Sequence, residues 1–210
     1  MVYGAASDKA LARRPQQQRA RVRFERILDE ARKLLVERGS AEFSIPDLAA
    51  RLRYARAAIY NFFPTPSAIF NELTQRYILE LESTLLRNAP SAENLPWQQG
   101  AHTFAQLAAS FYNQNPAACM LILGGPTSHE SYLAQQLLIQ RLGMLVEHRF
   151  AQRGIVLPPA PPNVAILSVE IGTACLRASF LLHGKVTPEY EREAGNAMVA
   201  YLSTAARKSE

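Results

Sequence analysis

The sequence predicts an all-α protein, in which an N-terminal three-helix unit precedes a larger helical domain. Three observations predict it. Apolar residues recur at three-to-four spacing along almost the whole chain, which is the period of a buried helix face. Short alternating runs of Val, Ile and Thr between turns, the mark of strands, are absent. Helix starts are punctuated by Ser or Thr beside a proline, and helix stops by glycine.

The elements follow in order. Residues 1–20 are polar and basic, with Arg13, Arg14 and Arg19, and read as a mobile arm. A first helix covers Arg21 to Arg38, with Phe24, Ile27, Leu28, Ala31, Leu34 and Leu35 on one face and Gly39 at its stop. A second starts after Ser44, which can cap it, with Asp47 three residues on and Phe43 and Leu48 placed as a hydrophobic staple. It ends near Leu52, and a short third helix covers Arg56 to Phe62. Thr65 and Pro66 open a long helix that carries Ile69, Phe70, Leu73, Tyr77, Leu81 and Leu85 and fades at Asn88-Ala89-Pro90. Further helices are expected over Trp97–Asn113, Pro116–Leu123, Ser128–Arg153, Asn163–His183 and Pro188–Ala206. Thr187-Pro188 repeats the cap-then-proline start, and Leu157 to Pro162 reads as a stiff connector.

Charge and composition narrow the function classes. The 210 residues carry 23 Lys and Arg against 18 Asp and Glu, a net charge of +5. Residues 1–60 hold 13 basic and 7 acidic side chains, whereas residues 61–210 are near neutral at −1. Such asymmetry points the N-terminal part at a polyanion. Met1 to Arg14 lacks the apolar stretch of a secretory signal. The best bilayer candidate, Val164 to Leu182, is interrupted by Glu170 and Arg177, so no run is expected to span and no membrane partner is expected. Cys119 and Cys175 match no zinc or redox spacing, which suits a reduced, cytoplasmic protein. No nucleophile elbow, Gly-rich phosphate loop or His-Glu-x-x-His pattern is present, so neither enzyme chemistry, a cofactor nor a metal is expected.

Three helices in about 45 residues, the last two joined by the tight turn Leu52 to Ala55, make a helix-turn-helix. The second helix of such a pair enters the major groove, where Arg56, Tyr60 and Asn61 could reach base edges or phosphates. The residues themselves are more specific. Arg26-Ile27-Leu28-Asp29-Glu30-Ala31 through Glu37-Arg38-Gly39, then Phe43-Ser44-Ile45-Pro46-Asp47-Leu48-Ala49, then Ala58-Ile59-Tyr60-Asn61-Phe62-Phe63-Pro64 resemble the tetracycline-repressor (TetR) family of bacterial regulators. The resemblance covers residues 24–73; beyond it the chain matches only in helix number and length.

The resemblance implies a homodimer with a DNA-binding domain over 1–66 and an effector-binding and dimerisation domain over 67–210. It implies a regulator of transcription, a repressor, that binds double-stranded operator DNA and is released by a small, mainly apolar effector. By position, Tyr60 matches the family's phosphate-contacting tyrosine, Thr65 the hydroxyl residue opening the next helix, and Ser44 the cap of the second helix. Arg53, Tyr54, Arg56 and Asn61 complete the DNA-binding candidates. The effector candidates are Trp97, Phe104, Phe111, Tyr112, Met120, Tyr132 and Met144, an aromatic and Met-rich set between helices. The chain departs from the family at the turn. Arg53 stands where Gly is frequent, which costs about 1 kcal/mol if the backbone turns left-handed there. Ala55 stands where Ser or Thr caps the recognition helix, a loss of about 1 kcal/mol. Pro66 replaces a lysine that grips phosphate.

Two other readings stay open from sequence: a helical small-molecule-binding protein with a degenerate DNA-binding unit, and an enzyme with Cys119 as nucleophile, which needs a His in reach. The dimer seam is expected on Gly172, Ala174, Cys175, Ala178 and Ser179 with Tyr190, Ala194, Ala197, Met198 and Tyr201.

Overall fold

The structure, a computed structural model, describes residues 8–93 and 96–208. The order is a 3-10 turn at Asp8–Ala10, then α1 (Gln18–Arg38), α2 (Ile45–Leu52), α3 (Arg56–Tyr60), α4 (Pro66–Glu93), α5 (Trp97–Gln114), α6 (Pro116–Ala118) continued by a π-helical stretch at Cys119–Leu123, α7 (His129–Gln152), α8 (Val164–His183) and α9 (Pro188–Ala205). Among the described residues the only strands are the two-residue pair β1 (Ile155–Val156) and β2 (Arg207–Lys208), antiparallel with Ile155 opposite Lys208. The protein is therefore all-α.

The chain divides into two compact units. The first runs up to Tyr77 and adds Pro116–Ala134; the second comprises Ile78–Asn115 and the chain from Gln135 onward.

In the first unit, α1 buries Phe24, Ile27, Leu28, Ala31, Leu34 and Leu35, the face that the spacing predicts. Gly39 stops it at φ +78°, where its N–H donates to the Leu35 carbonyl. Ser44 caps α2: its Oγ accepts from the Asp47 N–H at 3.2 Å and donates to the Asp47 carboxylate at 2.8 Å. Phe63 stacks on Phe24 with ring centroids 4.7 Å apart, and Phe62 meets Phe24 edge-on at 5.7 Å. Burying these aromatic faces on α1 is what fixes the short α3, since a five-residue helix does not persist alone.

The described part of the basic arm is docked, which corrects its reading as mobile. The Arg13 N–H donates to the Phe62 carbonyl at 2.7 Å, Asn71 Nδ2 to the Ala10 carbonyl at 2.8 Å, and the Arg14 guanidinium to Glu72 at 3.1 Å. Residues 1–7 lie outside the described residues. Asn71 and Glu72 are buried polar groups of α4, and docking the arm satisfies them. The same helix outlasts its predicted fade at Asn88 and continues through Pro90 to Glu93. A proline removes one backbone donor and does not by itself end a helix.

In the second unit, α9 packs on both α8 and α5. Glycines permit the closest approaches. A Cβ on Gly172 would meet Met198 Sδ at 2.7 Å, and one on Gly195 would collide with the His102 ring. Thr187 precedes Pro188 as expected, yet its side chain makes no cap hydrogen bond; its N–H donates to Ser179 Oγ at 2.9 Å instead.

By length and composition α8 is long and apolar enough to cross a membrane, with mean hydropathy 1.6 over an 18-residue window. This corrects the expectation that no run qualifies: Glu170 and Arg177 are too sparse to lower the mean. Only 39% of that window is buried within the chain.

Candidate nucleic-acid interface

The turn between α2 and α3 is a Schellman motif closed without glycine. The Tyr54 N–H reaches back to the Ala49 carbonyl at 3.0 Å and the Arg53 N–H to Ala50 at 3.2 Å. Arg53 takes φ +54°, ψ +39°, the left-handed region, and is the only described non-glycine residue with positive φ. The turn keeps the shape that glycine normally provides, at a strain of about 1 kcal/mol. Ala55 then occupies the N-cap of α3 in an extended conformation, with no side-chain bond to the helix.

This geometry presents α3 outward. Ile59 is fully buried on its inner face. Arg56 and Asn61 are exposed, and Tyr60 is 41% exposed, so Tyr60 is not core. Arg56 and Tyr60 lie four apart and share a face. Among the described residues neither Arg53 nor Arg56 has an ion-pair partner, whereas neighbouring arginines do: Arg38 pairs with Asp47 at 2.8 Å, and Arg51 pairs with Glu37 and Glu30. The tyrosine of the turn is engaged differently. The Arg23 guanidinium sits over the Tyr54 ring at 5.7 Å, leaving Tyr54 half-buried.

Arg23 leads to residues that reading the motif alone passes over. Arg19, Arg23 and Arg26 recur at i, i+4 and i+7 on α1, all exposed. Among the described residues none of the three has an ion-pair partner, and Arg23 ties their face to the turn. The available signal was that spacing. Arg53 and Arg56 thus lie at the turn and Arg23 against it, with Arg19 and Arg26 on the same face of α1, and among the described residues none of the five is ion-paired. Two expected site residues instead serve the fold through their hydroxyls. Ser44 is bound to Asp47 as described. Thr65 Oγ1 accepts from the Ala68 N–H at 3.2 Å and donates to the Lys9 carbonyl at 2.9 Å.

The effector candidates scatter. Trp97 and Phe104 line a cavity of the second unit together with Leu85, Leu145, Phe150 and Leu202. The α9 residues Met198 and Leu202 complete the lining. Phe111 and Tyr112 are buried as an edge-on pair 5.8 Å apart and are not among the lining residues. Met144 is 58% exposed. Met120 and Tyr132 belong to the other unit, and Tyr132 is 44% exposed beside His129. Helical spacing identifies apolar residues but not which of two faces the fold covers.

The small-residue face of α8 also divides. Gly172 packs on Met198 within the chain, and Ser179 Oγ donates to the Lys185 carbonyl at 3.0 Å. Ala194 and Met198 of α9 are likewise buried inside. What remains outward on α8 is Leu167, Ile171, Ala174, Ala178 and Leu181, a stripe of alternating four- and three-residue steps. Leu181 and Leu182 are 66% and 67% exposed. As for Cys119, burial pushes its thiol up to about 12, so the thiolate that a nucleophile requires is not populated at neutral pH.

Residues 27–73 match the model of the bacterial regulatory proteins of the tetR family. The fold is similar to a candidate TetR-family transcriptional regulator of Mesorhizobium loti, at 12% identity and TM-score 0.66 over 91% of this chain and 100% of that one. It is similar to SmeT, the repressor of the Stenotrophomonas maltophilia multidrug efflux pump SmeDEF, at 18% identity and TM-score 0.62 over 87% and 90%. A TetR-family transcriptional regulator of Streptomyces coelicolor aligns at 20% identity and TM-score 0.61 over 88% and 98%. No curated protein sequence matches the chain.

Proposed function

We propose that the chain, whose residues 27–73 match the tetR-family model, is a ligand-responsive transcriptional regulator of that family. It is a cytoplasmic repressor that binds operator DNA as a homodimer and is released by a small, mainly apolar effector. Residues 1–66 read DNA, and residues 67–210 bind the effector and dimerise. The observation that carries this is α3 itself, held outward by a glycine-less Schellman turn, with Arg53 and Arg56 uncommitted to any described carboxylate. A face of arginines without internal counter-charges suits phosphates, whose neutralisation releases condensed counterions. The likeness to SmeT, a repressor, supports the direction of control.

The dimer forms through the outward stripe of α8, whose exposed leucines a second copy would cover. Two recognition helices then reach half-sites about 34–36 Å apart. An effector that binds better to a different spacing of the two helices draws the population away from DNA.

The test is operator affinity, measured by anisotropy on a duplex selected from a random library, across a salt series. Arg56→Ala removes one phosphate contact per protomer, so the salt slope should fall by about two in the dimer. Tyr60→Phe should weaken binding with thermal stability intact. Unchanged affinity and slope in both folded variants would refute the proposed interface.

A further inference from the structure

We infer that a second copy seats on the flank of α8 that faces α7, with the two α8 helices crossing antiparallel so that Glu170 of each protomer pairs with the partner's Arg177. The inference rests on the homodimer proposed above and names its register.

Two oppositely charged side chains, Glu170 and Arg177, stand half-buried on α8. Glu170 precedes Ile171 and Arg177 precedes Ala178, so both lie on one edge of the outward stripe. Seven residues span about 10 Å of helix, too far for the two to pair within one chain. Among the described residues Glu170 meets a neutral donor, accepting from Gln136 Nε2 at 3.4 Å. Arg177 has no described ion-pair partner, and its Nε is buried without a hydrogen bond. A carboxylate and a guanidinium drawn partly out of water, each without an opposite charge, are costly to the single chain.

A two-fold axis resolves both at once, because an isologous contact of i with j repeats as j with i. An antiparallel crossing centred between Ile171 and Ala174 sets Glu170 against the partner's Arg177, and the axis makes that pair twice. It also sets Ile171 against the partner's Ala174, so a large side chain faces a small one. A parallel crossing instead brings Glu170 level with the partner's Glu170, a like-charge contact. Charge complementarity therefore selects a second copy as the occupant and fixes its direction. The neighbouring helices agree on the flank. The chain direction of α7 is opposite to that of α8, since a Cβ on Gly143 would meet Ile166 at 2.5 Å while Gln136 reaches Glu170. Leu137, next after Gln136, is 53% exposed, and the right-handed turn of both helices puts it on the side of the α8 stripe. On the opposite flank α9 is polar outside: Arg192 pairs with Glu189 at 3.8 Å, and Asn196 donates to Glu193 at 2.9 Å. The uncovered apolar surface thus continues from α8 onto α7, not onto α9.

The experiment follows the mass of the full-length protein by sedimentation over a concentration series. Wild type should be a dimer. Glu170→Arg and Arg177→Glu each place like charges together twice and should weaken it about tenfold or more, with helix content unchanged. An equimolar mixture of the two variants restores both pairs and should form heterodimers of near wild-type strength. The double variant Glu170→Arg, Arg177→Glu should likewise recover the homodimer. Leu137→Lys should weaken the dimer about threefold or more. Should a reversed charge unfold the chain, Glu170→Gln and Arg177→Gln take its place, and the two together should cost little more than either alone. Unchanged dimers in both reversals, when Ala178→Arg gives monomers, overturn the inference and leave the α8 seam standing. Weakening without rescue in the mixture or the double variant overturns the pairing. A dimer unmoved by Leu137→Lys overturns the placement toward α7. A monomeric wild type, or a dimer indifferent to Ala178→Arg as well, overturns both the inference and the α8 dimer it rests on.

Discussion

The unit that carries α2 and α3 closes its core with aromatic rings and pairs its buried Glu72, whereas the unit built on α5, α8 and α9 holds most of the exposed leucines. In the first, Phe24, Phe43, Phe63 and Phe70 are buried, and Glu72 bridges Arg14 and Arg76. In the second, Leu79, Leu86, Leu137, Leu181 and Leu182 are exposed, a cavity persists among apolar residues, and the close contacts are made by glycines. Under the proposed function the difference follows from task. Presenting a short helix to DNA needs a rigid support, because α3 cannot hold its own shape. Sensing a ligand and pairing with a second copy need apolar surface that the single chain has not yet buried.

The comparison breaks most directly at Phe63, fully buried and stacked on Phe24. Phe63→Ala should cost about 3–5 kcal/mol and abolish DNA binding, while Met144→Ala in the other unit, at an exposed site, should be nearly silent in thermal unfolding. If the two cost the same, the first unit is not the rigid one.

The second unit is tested through its outward stripe. Ala178→Arg places a bulky charge among Ile171, Ala174 and Leu181 and should yield monomers in light scattering, with helix content unchanged. A dimer of wild-type mass would refute α8 as the seam.

Smaller effects sharpen the picture of the turn. Ala55→Ser supplies the missing cap of α3 and should stabilise by about 1 kcal/mol. Arg53→Gly relieves left-handed strain of about 1 kcal/mol, less the entropy glycine adds to the unfolded chain, yet should weaken DNA binding by removing a charge. Stability and affinity moving in opposite directions would separate the two roles of Arg53.

The smallest effect concerns Glu25, which accepts from Arg76 Nη2 at 2.8 Å and whose carboxyl is thereby held below the ordinary value of 4.5. A group with a lowered folded pKa stabilises above its unfolded value and loses that contribution as pH falls through the folded one. Glu25→Gln should lower the melting temperature slightly at pH 7 and should approach wild type well below 4.5. A difference that grows in acid would exclude this ion pair as its source.

The sequence by itself determined what is local. The apolar face of α1, the stop at Gly39, the Ser44 cap and the start at Pro66 depend on residues within one or two turns, so spacing and capping chemistry suffice. The departures at Arg53 and Ala55 were equally legible, since backbone conformation and cap identity belong to single positions. Arg56 and Tyr60 followed from the motif, and the exposure of Tyr60 follows once Ile59 and Phe63 take the core. Only the tertiary structure decided what depends on distant neighbours. Periodicity says that a face is apolar, not what covers it. Gly172 and Met198 therefore turned inward where a dimer seam was expected, and Met144 faced solvent where a pocket was expected. The arm was docked by Asn71 and Glu72, more than fifty residues away in the chain.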